Sequence, residues 1–182
     1  MKEIRLHGRG GQGAVTAADM IATAAILSGK YGVSLPMYGT ERRGAPVVSF
    51  VRIDDSKIRL KTQIYTPECL IVLDSGQKDK PPIYEGLRSG GILVLNLSQV
   101  PQKNLNPKVG KAGYVDATKI AMEEIGIPAF NTCILGAFIA TTSWLELEAL
   151  ISAIEQSFSG KLLERNVKSA QRGYKEVKIV NY

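Results

Sequence analysis

A glycine-rich loop, GRGGQG at residues 8–13, separates a short apolar run from a long alanine-rich segment. Its glycines satisfy the pattern G-x-G-x-x-G, which in nucleotide-binding proteins follows a strand and opens a helix. Glycine permits the tight turn between the two elements and lets the helix pack closely on the sheet. We therefore predict a strand over 3–7 and a helix over 12–28.

The rest of the chain alternates short apolar runs with segments of helical periodicity. Continuous apolar runs are typical of strands buried on both faces of a parallel sheet. The alternation predicts one α/β domain over 1–182, with a Rossmann-like, open and mostly parallel sheet and a helical last third. We also predict an antiparallel hairpin over 47–60, because two β-rich runs flank a polar turn at 54–57. Further strands are predicted at 32–37, 69–74 and 91–97, a strand and helix over 113–126, and helices at 81–90, 131–143 (with Asn131 as N-cap), 146–158 and 162–178.

Composition limits the chemistry that the chain can perform. Cys69 and Cys133, the two cysteines, stand in apolar sequence and are predicted to be buried thiols. They are too few for an iron–sulfur cluster, which takes about four thiolates. His7 is the one histidine and is interpreted as a structural residue at a strand end, so neither a Ser-His-Asp triad nor a zinc site can be assembled. We expect no catalytic and no metal-binding residues.

The formal net charge is +6, and the basic residues are spread along the chain rather than gathered into a stripe with interleaved aromatics. This distribution argues against nucleic acid and favours an anionic ligand or an acidic partner subunit. The sequence shows neither a long uncharged apolar run nor the apolar core of a secretory signal. We therefore expect no membrane partner and a cytoplasmic location.

The glycine loop is suited to an anion. Glycines expose backbone N–H groups, and the N-terminus of the following helix adds roughly half a positive charge. The arginine of the loop can add donors, and its glutamine can donate or accept. The candidate binding residues in this loop are Gly8, Arg9, Gly10, Gly11, Gln12 and Gly13.

NAD fits this loop poorly. Its ribose hydroxyls need an acid about 20 residues beyond the glycines, where Val33 stands instead. The next acid is Glu41, flanked by Arg42 and Arg43, and the arginines keep an NADP site open as an alternative. A P-loop is excluded because no Gly-Lys-Ser/Thr follows. A glycine turn that only packs the helix on the sheet is the alternative without a ligand.

A second unusual segment, YGTERRGAP, begins at Tyr38. A Tyr-Gly turn and a glutamate flanked by arginines are typical of a docking loop, because guanidinium groups pair with carboxylates and phosphates. Tyr38, Glu41, Arg42 and Arg43 are the candidate residues here. A solvated charged loop is the alternative interpretation.

GRGGQG at 8–13 followed by YGTERRG at 38–44 resembles the gamma subunit, or gamma domain, of 2-oxoacid:ferredoxin oxidoreductases such as pyruvate:ferredoxin oxidoreductase. The resemblance continues through CLIVLD, GGILVLN and NTCILGA to RNVKSAQRGYK, and so covers nearly the whole chain. The two motifs together, in this order and spacing, are specific, whereas G-x-G-x-x-G alone is not. One departure is Ala45, where the family loop usually has a second glycine after Arg-Gly.

The resemblance implies a complex that decarboxylates a 2-oxoacid on thiamine diphosphate, passes electrons through [4Fe–4S] clusters to ferredoxin and transfers the acyl group to coenzyme A. Thiamine diphosphate would lie on the alpha and beta subunits, and the clusters on beta and delta. The gamma subunit would carry neither, and would contribute assembly and access for coenzyme A. Its glycine loop would be built either for a coenzyme A phosphate or for a contact with the alpha or beta subunit. Alternatives are the small subunit of an indolepyruvate or aryl 2-oxoacid oxidoreductase, and a free-standing nucleotide- or coenzyme A-binding module.

Overall fold

The computed structural model describes residues 1–37 and 44–182. Strands and helices alternate along this part of the chain, as the sequence predicts. The strands are β1 (Lys2–Arg9), β2 (Tyr31–Met37), β3 (Pro46–Asp54), β4 (Cys69–Val72), β5 (Gly91–Asn96), β6 (Val109–Val115) and β7 (Lys178–Asn181). The helices are α1 (Ala14–Leu27), α2 (Pro81–Tyr84), α3 (Ala117–Glu124), α4 (Asn131–Thr142), α5 (Leu147–Ser157) and α6 (Gly160–Glu176).

The described strands form one mixed sheet in the order β2-β3-β1-β4-β5-β6-β7. The four central strands β1, β4, β5 and β6 run parallel, and antiparallel pairs lie at both ends, β2 with β3 and β6 with β7. β1 lies at the boundary between the β2–β3 antiparallel pair and the parallel strands, because it pairs antiparallel with β3 on one side and parallel with β4 on the other. The predicted α/β class and mostly parallel sheet are confirmed.

The hairpin predicted over 47–60 is wrong in its position. β3 covers the first run, but no strand follows the turn at 54–57. Both edges of β3 are occupied, by β2 and by β1, so the second run has no edge to pair with. The antiparallel hairpin is formed instead by β2 and β3, with Met37 opposite Val48.

α1 is apolar on most of its surface because it is covered on two sides. One side packs on β2 and β3, and the other meets α5 and α4. Its alanines are buried in the larger core cluster, whereas Thr16 and Asp19 are exposed. The exposed polar residues therefore mark the face of the helix that is turned to solvent, and the alanines allow its close approach to the sheet.

The helical last third lies on the same side of the sheet as α1. α4 is buried nearly all round, between β5 and β6 on one side and α6 and α5 on the other. A side chain at Gly136 would collide with the backbone of Ala170, and one at Gly173 with the backbone of Cys133. These two glycines let α4 and α6 cross with their backbones in contact.

The opposite face of the sheet is covered mainly by loops. Leu70, Val72, Leu93 and Leu95 from β4 and β5 form a second core cluster there with Ile83, Tyr84 and Leu87 around α2. Beside this cluster, over β1 and β3, the loops do not cover the sheet completely. They leave a groove that is described below. None of the helices in the described ranges has the length and hydropathy needed to cross a membrane.

Candidate functional site

The glycine loop connects the end of β1 to the start of α1 at one edge of the sheet. Gly11 has φ +93° and Gly13 has φ +76°, a left-handed conformation that favours glycine. Gly13 is the N-cap of α1 and provides no side chain to cap the helix. The first turn of α1 therefore presents uncapped N–H groups, with no acidic side chain beside them.

Hydrogen bonds within the loop hold its shape. The Arg9 N–H donates to Oε1 of Gln12 at 2.7 Å, and the Gly10 N–H donates to the Ala45 carbonyl at 2.9 Å. The Gly44 N–H donates in return to the Gly10 carbonyl at 3.3 Å. The backbone of Gly10 and the side-chain amide oxygen of Gln12 thus brace the loop. The N–H groups of Gly11 and Gly13, in contrast, have no acceptor among the described residues.

The Arg9 guanidinium is tied to the loop that follows β4. Its Nε lies 2.5 Å from Oδ2 of Asp74, and its Nη1 donates to the Gly44 carbonyl at 3.3 Å. Burial alone would raise the pKa of the Asp74 carboxyl, but hydrogen bonds from Arg9, Gln77 and the Gly76 N–H outweigh it, and the pKa lies below its ordinary value. Arg9 therefore braces the loop through Nε and Nη1. Its Nη2 has no acceptor among the described residues.

Asn131 is the residue at this loop that sequence reasoning misplaced. It was predicted to cap α4, but the N-cap is Phe130, and Asn131 is the first helical residue with no side-chain cap bond. Its amide lies instead against Gly13, where an added Cβ would come within 2.9 Å of Nδ2. Asn131 is 9% exposed, and its amide has no hydrogen bond to any described residue. The starts of α1 and α4 therefore meet around an amide that has no hydrogen-bond partner among the described residues.

Chemically, this arrangement suits an oxyanion. The N–H groups of Gly11, Gly13 and the first turn of α1 are donors, the helix dipole favours negative charge, and the Asn131 amide can donate as well. The six predicted residues of the loop fall into two groups. Gly11 and Gly13 are open, whereas Arg9, Gly10 and Gln12 brace the loop and the Gly8 carbonyl, in β1, accepts a hydrogen bond from Gln77.

The other predicted site residues, Tyr38, Glu41, Arg42 and Arg43, lie outside the described residues. The residues that follow them do contact the glycine loop, because Gly44 and Ala45 exchange hydrogen bonds with Gly10. The last residues of the second motif therefore meet the glycine loop at this point.

The predicted buried thiols are confirmed, since both cysteines are free and buried. Burial raises the pKa of Cys133 to about 12, and it raises the pKa of Cys69 further. Neither thiol is a nucleophile at neutral pH. Within the described ranges, His, Cys, Asp and Glu side chains form no group of three or more that could hold a metal ion.

His7 lies within β1, two residues before the end of the strand and not at the predicted strand end, on the face of the sheet opposite α1. Its Nε2 accepts a hydrogen bond from Nε of Arg5 at 3.0 Å. Burial, together with the positive charge of Arg5, lowers the pKa of His7 to about 3. The structural role predicted for His7 is present, but its partner Arg5 was not singled out in the sequence.

Comparisons with known proteins agree with these two motifs. A family model described as pyruvate ferredoxin/flavodoxin oxidoreductase matches residues 3–176. The gamma subunit common to pyruvate and ketoisovalerate oxidoreductases in Thermococcus kodakarensis is 47% identical over 182 residues, which cover 98% of each chain. The gamma subunit of NADH-dependent phenylglyoxylate dehydrogenase from Aromatoleum evansii is 44% identical over 98% of this chain and 95% of that one.

A solved structure extends the similarity to the fold. The crystal structure of a pyruvate oxidoreductase subunit from Thermotoga maritima superposes with a TM-score of 0.87 at 38% identity, and covers 99% of this chain and 98% of that chain. Sequence and fold thus agree over the full length of the chain, the glycine loop included. The chain belongs to the pyruvate ferredoxin/flavodoxin oxidoreductase family and is of its gamma type.

Proposed function

We propose that the chain is the gamma subunit of a 2-oxoacid oxidoreductase that works together with alpha, beta and delta subunits and passes electrons to ferredoxin in the cytoplasm. The names of the relatives support a subunit of such an enzyme. Its two cysteines are too few to ligate a [4Fe–4S] cluster, so clusters and thiamine diphosphate are assigned to the partners. The gamma chain itself contributes assembly and ligand binding rather than bond-making groups.

The ligand that we assign to the glycine loop is coenzyme A, whose thiol accepts the acyl group in such enzymes. The observation that carries this assignment is the uncapped start of α1, with the Asn131 amide lying against Gly13. Coenzyme A brings several phosphate oxygens, and these are acceptors for the free N–H groups of Gly11 and Gly13. NAD is a weaker candidate because no acid stands where its ribose would need one.

A substitution of Asn131 tests the coenzyme A assignment. In the assembled complex, Asn131→Ala should raise the KM for coenzyme A by about tenfold, the equivalent of one hydrogen bond to a charged group. Gln102→Ala, which removes an exposed amide on the loop before β6, is the matched control and should leave this KM unchanged. An unchanged KM in Asn131→Ala, with normal complex yield, would contradict the assignment.

The identity of the 2-oxoacid is a separate question. Relatives of similar identity are named for pyruvate and ketoisovalerate on the one hand and for phenylglyoxylate on the other. We propose a pyruvate-type substrate, with an aryl 2-oxoacid as the second candidate. Assaying the purified complex with pyruvate, ketoisovalerate and phenylglyoxylate tests this, and the highest kcat/KM on phenylglyoxylate would favour the second candidate.

A further inference from the structure

A groove of about 750 Å³ lies on the face of the sheet opposite α1. Its floor is formed by Arg5 and His7 of β1 and by Val48 and Phe50 of β3, and Ile64 is part of its wall. The volume falls in the range of small-molecule sites, which are mostly apolar with a few converging polar groups. The walls and floor of this groove have that composition, with Arg5 as the charged group on the floor.

Arg5 is only 8% exposed, and two of its three guanidinium nitrogens are fully engaged. Nε donates to Nε2 of His7 at 3.0 Å. Nη2 donates to the carbonyls of Ile83 and Glu85, both at 2.7 Å. Nη1 donates to no acceptor in residues 1–37 and 44–182, and Arg5 is one of the residues that line the groove.

Arg52, on the neighbouring strand, is also a buried arginine, but it is paired with a carboxylate. It is 3% exposed, and its Nε lies 3.0 Å from Oε1 of Glu3. Arg5 has no such partner, because no carboxylate oxygen of the described residues lies within 4.0 Å of its guanidinium. Buried charges in proteins are normally paired, whereas the carboxylate that acts on Arg5, that of Glu85, lies beyond ion-pair distance and leaves Arg5 without a contacting anion among the described residues.

The other groups around the groove determine how much charge the missing anion carries. His7 is neutral, and since its Nε2 accepts from Arg5, its proton resides on Nδ1. The rim adds the exposed residues Lys80 and Glu85, and the Glu85 carboxylate acts on Arg5 itself, so the charged side chains that line the groove sum to one positive charge. One uncompensated positive charge with apolar walls therefore favours a monoanion attached to an apolar body.

We propose that this groove binds a small monocarboxylate, one oxygen of which accepts a hydrogen bond from Nη1 of Arg5 while its apolar body packs against Val48, Phe50 and Ile64. A carboxylate fits better than a phosphate, because a dianion would bring a second charge for which the floor has no cation. The proposal goes beyond the coenzyme A assignment and uses none of its residues. Each of the two can therefore fail without the other.

Titration of the full chain by heteronuclear NMR tests the proposal directly, with benzoate, neutral benzamide and inorganic phosphate as probes. Benzoate should shift the Arg5 Nε–H and the amides of Phe50 and Ile64, with a Kd of about 1 mM. Benzamide and phosphate should bind at least about tenfold more weakly, since the first lacks the charge and the second the apolar body. Equal binding of phosphate would identify a general anion site and overturn the assignment to carboxylates.

Two variants show whether Arg5 is the cation involved. Arg5→Gln should weaken benzoate binding at least about tenfold. Because this variant also loses the bonds to two carbonyls, Val48→Glu provides an independent test that keeps Arg5 and places a carboxylate in the groove. It should abolish benzoate binding in a chain that remains folded, and undiminished binding in Val48→Glu would overturn the proposal.

Two further variants are controls. Arg88→Gln removes an arginine that is already paired with Glu3 and Glu68, and it should leave benzoate binding unchanged.

Glu41→Gln tests whether the chain's own loop provides the anion. If benzoate binds more tightly to Glu41→Gln than to the unaltered chain, Glu41 is the partner of Arg5 and the proposal is wrong, as it is if benzoate fails to bind the unaltered chain at about 10 mM.

Discussion

His7 acts in this structure as a hydrogen-bond acceptor, and that role requires the neutral ring. Its Nε2 is occupied by the Nε–H of Arg5, and protonation would place two cations side by side in a buried position. Burial, with Arg5 beside it, lowers the pKa of His7 to about 3 from an ordinary 6.5. In the unfolded chain the ring takes up a proton near its ordinary pKa, so acid favours unfolding.

This difference predicts a pH dependence of stability. Between about pH 7 and about pH 5, His7 alone should lower the free energy of unfolding by about 2 kcal/mol. His7 is the one histidine of the sequence, so no other side chain with an ordinary pKa titrates in the middle of this range. His7→Gln, which keeps an acceptor for Arg5, should show a flat profile in urea unfolding. The same slope in both proteins would refute this explanation.

Gly11 gives a second prediction at the scale of one residue. It has φ +93°, and a Cβ there would meet nothing within 4 Å, so Gly11→Ala adds backbone strain but no collision inside the chain. The free energy of unfolding should fall by about 1–2 kcal/mol. If coenzyme A approaches this backbone, the methyl group should also raise the KM for coenzyme A in the complex.

Gly29→Ala is the matched control, because Gly29 has φ +75° and is equally open but lies beyond the opposite end of α1 from the glycine loop. Both variants should lose similar stability in thermal unfolding, and only Gly11→Ala should change the KM for coenzyme A. A Gly11→Ala complex with an unaltered KM would leave the loop as scaffold and remove coenzyme A from it.

Not every site residue could be found from the sequence. The glycine loop is visible because its chemistry is local, whereas the contact between Asn131 and Gly13 joins residues far apart in the chain. An asparagine before an apolar helix is also what a helix cap looks like, and the local pattern led to that interpretation. Arg5 gave no signal, because a lone basic residue in a strand is ordinary until its burial and its partners are known.

At the scale of elements, α4 and α6 form the tightest helix pair in the described fold. Gly136 and Gly173 face the backbone of the opposite helix, with no room for a side chain. The apolar and amphipathic patterns of these segments predicted both helices but not their close crossing, since the spacing of glycines on two separate helices does not tell which faces meet. β7 was missed for a related reason, because four residues after a helix show too little alternation.

Because α4 and α6 cross so closely, a glycine-to-alanine substitution at the crossing should lower the stability of the fold rather than raise it. An alanine in the middle of a helix is normally more stable than glycine by about 1 kcal/mol. Gly136→Ala should instead destabilise the fold by about 1–3 kcal/mol or more, because the methyl group collides with the Ala170 backbone. Denaturant unfolding measures this, with exposed Lys168→Ala as a control that should change stability by less than about 0.5 kcal/mol. A stabilised Gly136→Ala would show that the two helices separate readily.

At the scale of the whole molecule, the residues that directly follow the segment 38–43 lie beside the glycine loop. Gly44 and Ala45 both exchange backbone hydrogen bonds with Gly10. A docking segment anchored in this way would couple contact with a partner subunit to the geometry of the ligand site. This coupling is what we expect of a gamma chain that serves both assembly and coenzyme A.

Arg42→Ala and Arg43→Ala test the docking role. Each should leave the free energy of unfolding within about 0.5 kcal/mol of the unaltered chain. Loss of one partner from a buried interfacial charge pair costs about 2–5 kcal/mol of binding, so co-purification with the other subunits should fall sharply. Arg59→Ala, at an arginine that is exposed in the described part of the chain, should assemble normally. Full assembly and turnover in both loop variants would mean that the segment is solvated surface.

The position of α1 between the sheet and α5 also affects how the chain folds during its synthesis. α1 ends at Leu27, whereas α5, which covers its outer side, begins at Leu147. At about 5–20 residues per second, a ribosome needs roughly 6–24 s to synthesise the residues between the end of α1 and the start of α5. During this interval an alanine- and isoleucine-rich surface is open to solvent, so the nascent chain is a client for chaperones until its last third emerges.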